Sequence, residues 1–160
     1  MRKVLYIIPA WEETCKAKPY QHLADAATKK GYEVICIDVD WKKPLSPQVF
    51  SVPPEAVLFG FSLGAILAWL VAQKHPCRHL ILASMTPHYS FADPMIKKAL
   101  IDLAGKEFVD DVIEHLATAH LAEKQTTMYG DREEETADIL VPQTEHELND
   151  RYIAEIDKIL

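Results

Sequence analysis

Ala56-Val57-Leu58-Phe59-Gly60-Phe61-Ser62-Leu63-Gly64-Ala65-Ile66-Leu67-Ala68-Trp69-Leu70 joins a short apolar run to a long apolar segment through a turn with a glycine on each side of a serine. The run before Gly60 has the length and composition of a buried strand, and the segment after Ser62 those of a buried helix. A chain that passes from strand to helix within three residues must turn sharply. Small residues at Gly60 and Gly64 allow the close backbone approach such a turn needs, and the strained residue at its apex is Ser62. Its hydroxyl stands above the sheet edge, and the backbone N–H of Leu63, first in the helix, has no intrahelical acceptor. One turn thus supplies a candidate nucleophile and a candidate oxyanion donor. The plainer alternative is a glycine-flanked turn in which Ser62 only caps the helix.

Upstream, Val4-Leu5-Tyr6-Ile7-Ile8 is a continuous apolar run of the kind found in a parallel strand covered on both faces, and Pro9 ends it. Pro19 opens a helix running to about Lys30 with Gly31 as its C-cap, and Glu33 to Asp38 is the next strand. Prolines at positions 44, 47, 53 and 54 leave room for only a short helix near Ser46. Downstream, the helix after the turn runs from Leu63 to about His75, stopped by Pro76, and His79 to Ala83 is a strand. Thr126 to Tyr129 and Ile139 to Pro142 are the last two strands, and Leu148, Tyr152, Ile153, Ile156, Ile159 and Leu160 recur at helical spacing.

Strands alternating with helices in this order predict a three-layer α/β/α architecture, doubly wound on a mainly parallel six-stranded sheet. About forty residues separate the fourth and fifth strands, more than a simple crossover needs. Asp93-Pro94 starts one helix there, Gly105 interrupts, and a second is expected from about Phe108 to Leu121, so residues 86–122 are expected to form a lid over the sheet edge. In such sheets ligands sit beyond the carboxyl ends of the strands, where Ser62 and the residues after Tyr129 and Val141 all fall.

A chain of 160 residues is expected to form one domain over its whole length, and a composition 49% apolar without repeats is that of a compact protein. The net charge of -7 argues against nucleic acid, anionic membrane surfaces and polyanionic substrates as partners. Cys15, Cys36 and Cys77, an odd number at wide spacing, predict free thiols in a reducing cytoplasm rather than a zinc site. The basic start Met1-Arg2-Lys3 leads into an apolar run with no small-x-small cleavage site after it, and no apolar segment is long enough to cross a bilayer.

The strand-Gly60-Phe61-Ser62-Leu63-Gly64-helix pattern resembles the nucleophile elbow of the α/β-hydrolase family. The resemblance covers nearly the whole chain and implies a minimal member lacking the two leading strands, with an edge that a homodimer could cover. It implies a serine, acid, histidine order along the chain. Of seven histidines, His22 precedes the serine, His75 and His79 flank a helix end and a strand start, and His88, His115 and His120 fall in the lid region. His146, in the loop between the sixth strand and the last helix, is left as the base. The family commonly places its acid three residues past a glycine such as Gly130, which selects Glu133; Asp131 is the runner-up, and a solvated acidic helix start the plainer reading. The second oxyanion donor would be the backbone N–H of Trp11, although Pro9-Ala10-Trp11 departs from the family's His-Gly loop.

The resemblance implies carboxylic ester or thioester hydrolysis of a small uncharged acyl substrate, without a metal or organic cofactor. Phe61 and Met85 are the expected substrate-binding residues, and Trp41, Tyr89, Phe91 and Met95 could line the same apolar pocket or be ordinary core. Two rivals remain: a non-catalytic binding or scaffold protein that keeps the fold, and a peptidase or carbon–carbon bond hydrolase using the same three residues.

Overall fold

The computed structural model describes residues 2–85 and 93–160. Six strands, β1 (Lys3–Ile8), β2 (Tyr32–Cys36), β3 (Val57–Phe61), β4 (Cys77–Ala83), β5 (Ala122–Gly130) and β6 (Ile139–Val141), form one sheet in the order β2-β1-β3-β4-β5-β6. Every neighbouring pair is parallel. Among the described residues five helices cover it: α1 (Lys18–Lys29), α2 (Leu63–Lys74), α3 (Pro94–Ala104), α4 (Lys106–His115) and α5 (Asp150–Ile159). The expected three-layer architecture is observed, with the sheet wholly rather than mainly parallel.

Alternation along β3 shows how one strand serves two cores. Val57, Phe59 and Phe61 point to the face covered by α1 and α5, whereas Leu58 points to the face covered by α2. Helix α2 is apolar all round because it lies between the sheet and the pair α3 and α4, whose Leu100, Phe108, Val109 and Val112 join the same core. Helix α1 buries Tyr20, Leu23 and Ala27, and α5 buries Tyr152, Ile153 and Ile156, each presenting one apolar stripe to the opposite face.

Three expectations need correction. Helix α4 ends at His115 rather than Leu121, because side chains of α2 hold the following chain out of the helix: Trp69 Nε1–H donates to the Ala117 carbonyl at 2.8 Å and the Gln73 side chain accepts the Ala117 N–H at 2.8 Å. Strand β5 begins at Ala122, before the expected Thr126, since pairing to β4 carries it past its polar first half. Cys15 and Cys36 form a disulfide, with Cα atoms 6.3 Å apart, and only Cys77 is a free thiol, buried. The parallel pairing of β1 and β2 brings the loop after β1 beside the end of β2, a proximity that wide sequence spacing conceals. The cysteine count therefore carries no argument about compartment. Among the described residues, no helix is long and apolar enough to cross a membrane.

His79 in β4 is 5% exposed, with Nε2 2.8 Å from Thr126 Oγ1. Burial, reinforced by Lys124 and Arg78, pushes the imidazole down to about 4 from 6.5. A folded-state value below the unfolded one means stability that is complete above pH 6.5 and is lost as pH falls from there to about 4. Allowing for screening by nearby solvent, this is worth on the order of 2 kcal/mol. Urea unfolding at pH 7.5 and pH 4 is expected to show the wild type losing about that much more stability than His79→Gln; equal losses would show that His79 is not the group responsible.

Candidate active site

Ser62 follows β3 directly and has φ 54° and ψ -123°, a conformation an L-residue occupies only under constraint. Its N–H donates to the Ala83 carbonyl at 2.9 Å and its own carbonyl accepts the Ala65 N–H at 3.0 Å, so sheet and helix hold it from both sides. The flanking glycines are sterically required. A Cβ on Gly60 would lie 2.5 Å from Ala65 Cα, and one on Gly64 would lie 2.2 Å from the Pro9 carbonyl oxygen. The second contact also seats the start of α2 against the end of β1.

His146 lies in the loop between β6 and α5, with Nε2 2.9 Å from Ser62 Oγ and Nδ1 2.6 Å from Glu133 Oε1. A carboxylate only accepts, so Nδ1 donates, and the neutral ring then offers its Nε2 lone pair to the Ser62 hydroxyl. That tautomer is the one a general base for Ser62 requires. The Phe61 ring packs 5.5 Å from the imidazole and 5.7 Å from the Tyr152 ring, with Phe61 only 3% exposed.

Glu133 closes a 3-10 turn, Asp131–Glu133, that begins where β5 ends. While Oε1 faces His146, Oε2 accepts the Gly130 N–H at 2.7 Å and the Ser84 hydroxyl at 2.6 Å. Burial works to raise the pKa of this carboxyl, but the hydrogen bonds from His146, Ser84 and Gly130 outweigh it and hold the group below the ordinary carboxylate range.

Asp131, the runner-up, has a different place: its Oδ1 accepts the Thr144 N–H at 3.1 Å, and backbone N–H groups of Gln143 and Thr144 hold its pKa below the usual value. Arg132 N–H donates to the Thr144 carbonyl at 3.0 Å, and a Cβ on Gly130 would lie 2.2 Å from that same oxygen. Asp131 therefore ties the turn carrying Glu133 to the loop carrying His146. Asp131→Asn is expected to lower turnover by less than about tenfold, whereas a loss as large as that of a Glu133 variant would make Asp131 the acid.

Trp11 follows β1 in a loop held from below by Tyr20. The Tyr20 hydroxyl accepts the Ala10 N–H at 3.0 Å and donates to the Glu13 carboxylate, and the Glu13 N–H returns to the Ala10 carbonyl at 3.0 Å. Among the described residues the Trp11 N–H has no acceptor. Its indole packs on Trp41 at 5.3 Å and on Phe108 of α4 at 5.9 Å, which joins this loop to the inserted helices. Met85, just past β4, receives the Tyr129 hydroxyl on its carbonyl and lines a cavity of about 290 Å³ with Trp69, Leu116, Ala117 and Thr118. Met95 is 81% exposed and Trp41 is buried, while Tyr89, Phe91 and residues 86–92 of the expected lid lie outside the described residues.

Ser84, Tyr152 and Tyr20 take part in this arrangement, a role for which the sequence carries little signal. Tyr152 reads there as one apolar position of an amphipathic helix, and the only signal for Ser84 is a small polar residue at the carboxyl end of a strand. Backbone strain shows more. Among the described residues, non-glycine positions with positive φ are Glu12, Ser62, Ser84, Glu134 and Gln143, each beyond the carboxyl end of a different strand. Strain of this kind persists only where the surrounding structure imposes it, and it concentrates at functional sites. Among the described residues, no group of His, Cys, Asp and Glu is placed to hold a metal ion.

No family model matches this sequence, and no curated protein does. Among solved structures, the crystal structure of a protein from Agrobacterium vitis S4, provisionally named a hydrolase, is similar with a TM-score of 0.67. The likeness covers 99% of this chain and 86% of that one at 11% sequence identity. At such identity the kinship is one of architecture: the chain has a hydrolase-like α/β fold.

Proposed function

We propose that this protein is a serine hydrolase that cleaves carboxylic ester or thioester bonds of a small uncharged acyl substrate. The observation that carries the reading is the unbroken relay from Glu133 Oε1 through His146 to Ser62 Oγ, with contacts of 2.6 and 2.9 Å, at the apex of a strained strand-to-helix turn. His146 Nε2 takes the Ser62 proton as Oγ attacks the substrate carbonyl carbon, and the Leu63 and Trp11 N–H groups receive the oxyanion. His146 then gives that proton to the departing alcohol or thiol, leaving an acyl-serine. Water, deprotonated by the same nitrogen, releases the acid and regenerates Ser62. Glu133 keeps the imidazole in the required tautomer and balances its charge throughout.

The net charge of -7 supports an uncharged rather than anionic substrate. The test is labelling with a fluorophosphonate probe, read by intact mass and peptide mapping, together with turnover of a panel of short acyl esters, thioesters and amides. One probe per chain at Ser62 with ester or thioester turnover supports the proposal. Turnover confined to amides would make the protein a peptidase, and a folded protein that neither labels nor turns over would make it a binding protein on this fold.

A further inference from the structure

The acid of this site is a glutamate, whose carboxylate has one more rotatable bond to restrain than an aspartate's. Three buried hydrogen-bonding groups supply that restraint. Ser84 Oγ lies 2.6 Å from Glu133 Oε2 and 2.8 Å from the Tyr152 hydroxyl, which lies 2.9 Å from the Met128 carbonyl oxygen. The carboxylate and the carbonyl only accept, so the Ser84 proton goes to Glu133, and the Tyr152 proton is shared between Ser84 Oγ and Met128. Ser84 and Tyr152 are both fully buried, so no solvent can replace either hydroxyl.

Two backbone features place these hydroxyls. Ser84 has φ 41°, with its N–H donating to the Met128 carbonyl at 2.7 Å. Asn149 caps α5 by accepting the Tyr152 N–H at 3.0 Å, which sets Tyr152 in the first turn of the helix that begins just after the His146 loop. The helix that follows the base therefore also presents the group that orders the acid.

We infer that Ser84 and Tyr152 are positioning residues that hold the Glu133 carboxylate in the one orientation in which Oε1 meets His146 Nδ1. The inference rests on the serine hydrolase reading for its effect on rate, but not for the geometry it asserts. The titratable groups facing Glu133 are His146 and the phenols of Tyr152 and Tyr129, and burial keeps both phenols protonated. Without the Ser84 hydroxyl, Oε2 keeps the Gly130 N–H alone and the Oε1 contact with His146 Nδ1 is less firmly held.

The test compares wild type with Ser84→Gly and Tyr152→Phe. Glycine accepts the positive φ without strain and lacks the hydroxyl, and phenylalanine keeps the ring that packs on Phe61. Expected for Ser84→Gly are a folded protein with a melting temperature lower by a few degrees and a kcat about 10- to 100-fold lower with KM within about twofold. The Tyr152→Phe variant is expected to lose about 3- to 10-fold in kcat. The downfield proton resonance of His146 Nδ1–H should be present in wild type and shifted or lost in Ser84→Gly. A folded Ser84→Gly with wild-type kcat and an unmoved resonance would overturn the inference. If wild type itself neither labels nor turns over, the hydrolase reading has failed, and the resonance alone decides the positioning: a shift upholds it and an unmoved signal overturns it.

Discussion

Ser62→Ala is expected to abolish fluorophosphonate labelling and to lower kcat on an activated ester by about 10⁵- to 10⁶-fold. The expectation is this large because on the proposed reading the side chain forms the covalent bond, and among the described residues no other hydroxyl bonds to the His146 ring. What remains would come from the oxyanion donors and from binding alone, a residue of about 10³- to 10⁴-fold over water. The fold should survive. Ser62 is 8% exposed and its backbone is held by the Ala83 and Ala65 hydrogen bonds, and alanine meets the same φ strain as serine, so the melting temperature should move by no more than a few degrees. Intact mass after probe treatment and circular dichroism of the same sample check both halves. Undiminished labelling of Ser62→Ala would place the reactive nucleophile elsewhere.

Glu133→Gln is the second large effect, and its reason lies in the donors around the side chain. Ser84 O–H and Gly130 N–H both donate to Oε2, so a glutamine must turn its carbonyl oxygen toward them. Its NH₂ then faces His146 Nδ1, which can pair with it only by accepting. The imidazole proton moves to Nε2, where it opposes the Ser62 hydroxyl instead of receiving its proton. A kcat loss of about 10³- to 10⁴-fold follows, of the size expected when a triad histidine is held in the wrong tautomer. KM should change little, and steady-state kinetics on the activated ester separates the two. A loss under tenfold would remove Glu133 from the role of acid.

The same substitution has a signature in stability. A carboxyl held below its unfolded value contributes stability that is present above the unfolded pKa and lost as pH falls through the folded one. The wild type should therefore lose stability on acidification more steeply than Glu133→Gln, in the range below the ordinary carboxylate value.

Much of the arrangement can be traced to local chemistry. Gly60, Ser62 and Gly64 between two apolar runs specify a sharp strand-to-helix turn because only small residues fit against Ala65 and Pro9. The order of Ser62, Glu133 and His146 along the chain, with a strand ending before each, places all three on one sheet edge once the sheet is parallel. Asp131 and Glu133 could not be told apart in this way. They are two residues apart in one acidic turn, and which of them faces His146 depends on how that turn meets the Thr144 backbone, a contact between segments that are not adjacent in sequence.

Sequence by itself determined the fold class, the succession of strands along the chain, the sharp strand-to-helix turn at Ser62 and the loop that carries His146, because apolar periodicity and glycine sterics act over a few neighbouring residues. Only the tertiary structure decided the rest. It paired Cys15 with Cys36 across adjacent strands, ended α4 where Trp69 and Gln73 capture the chain, and gathered Ser84, Tyr152 and Gly130 around one carboxylate. Each of these depends on directed contacts between groups far apart in the chain, and hydrogen bonds of that kind leave no period or spacing in the sequence from which they could be read.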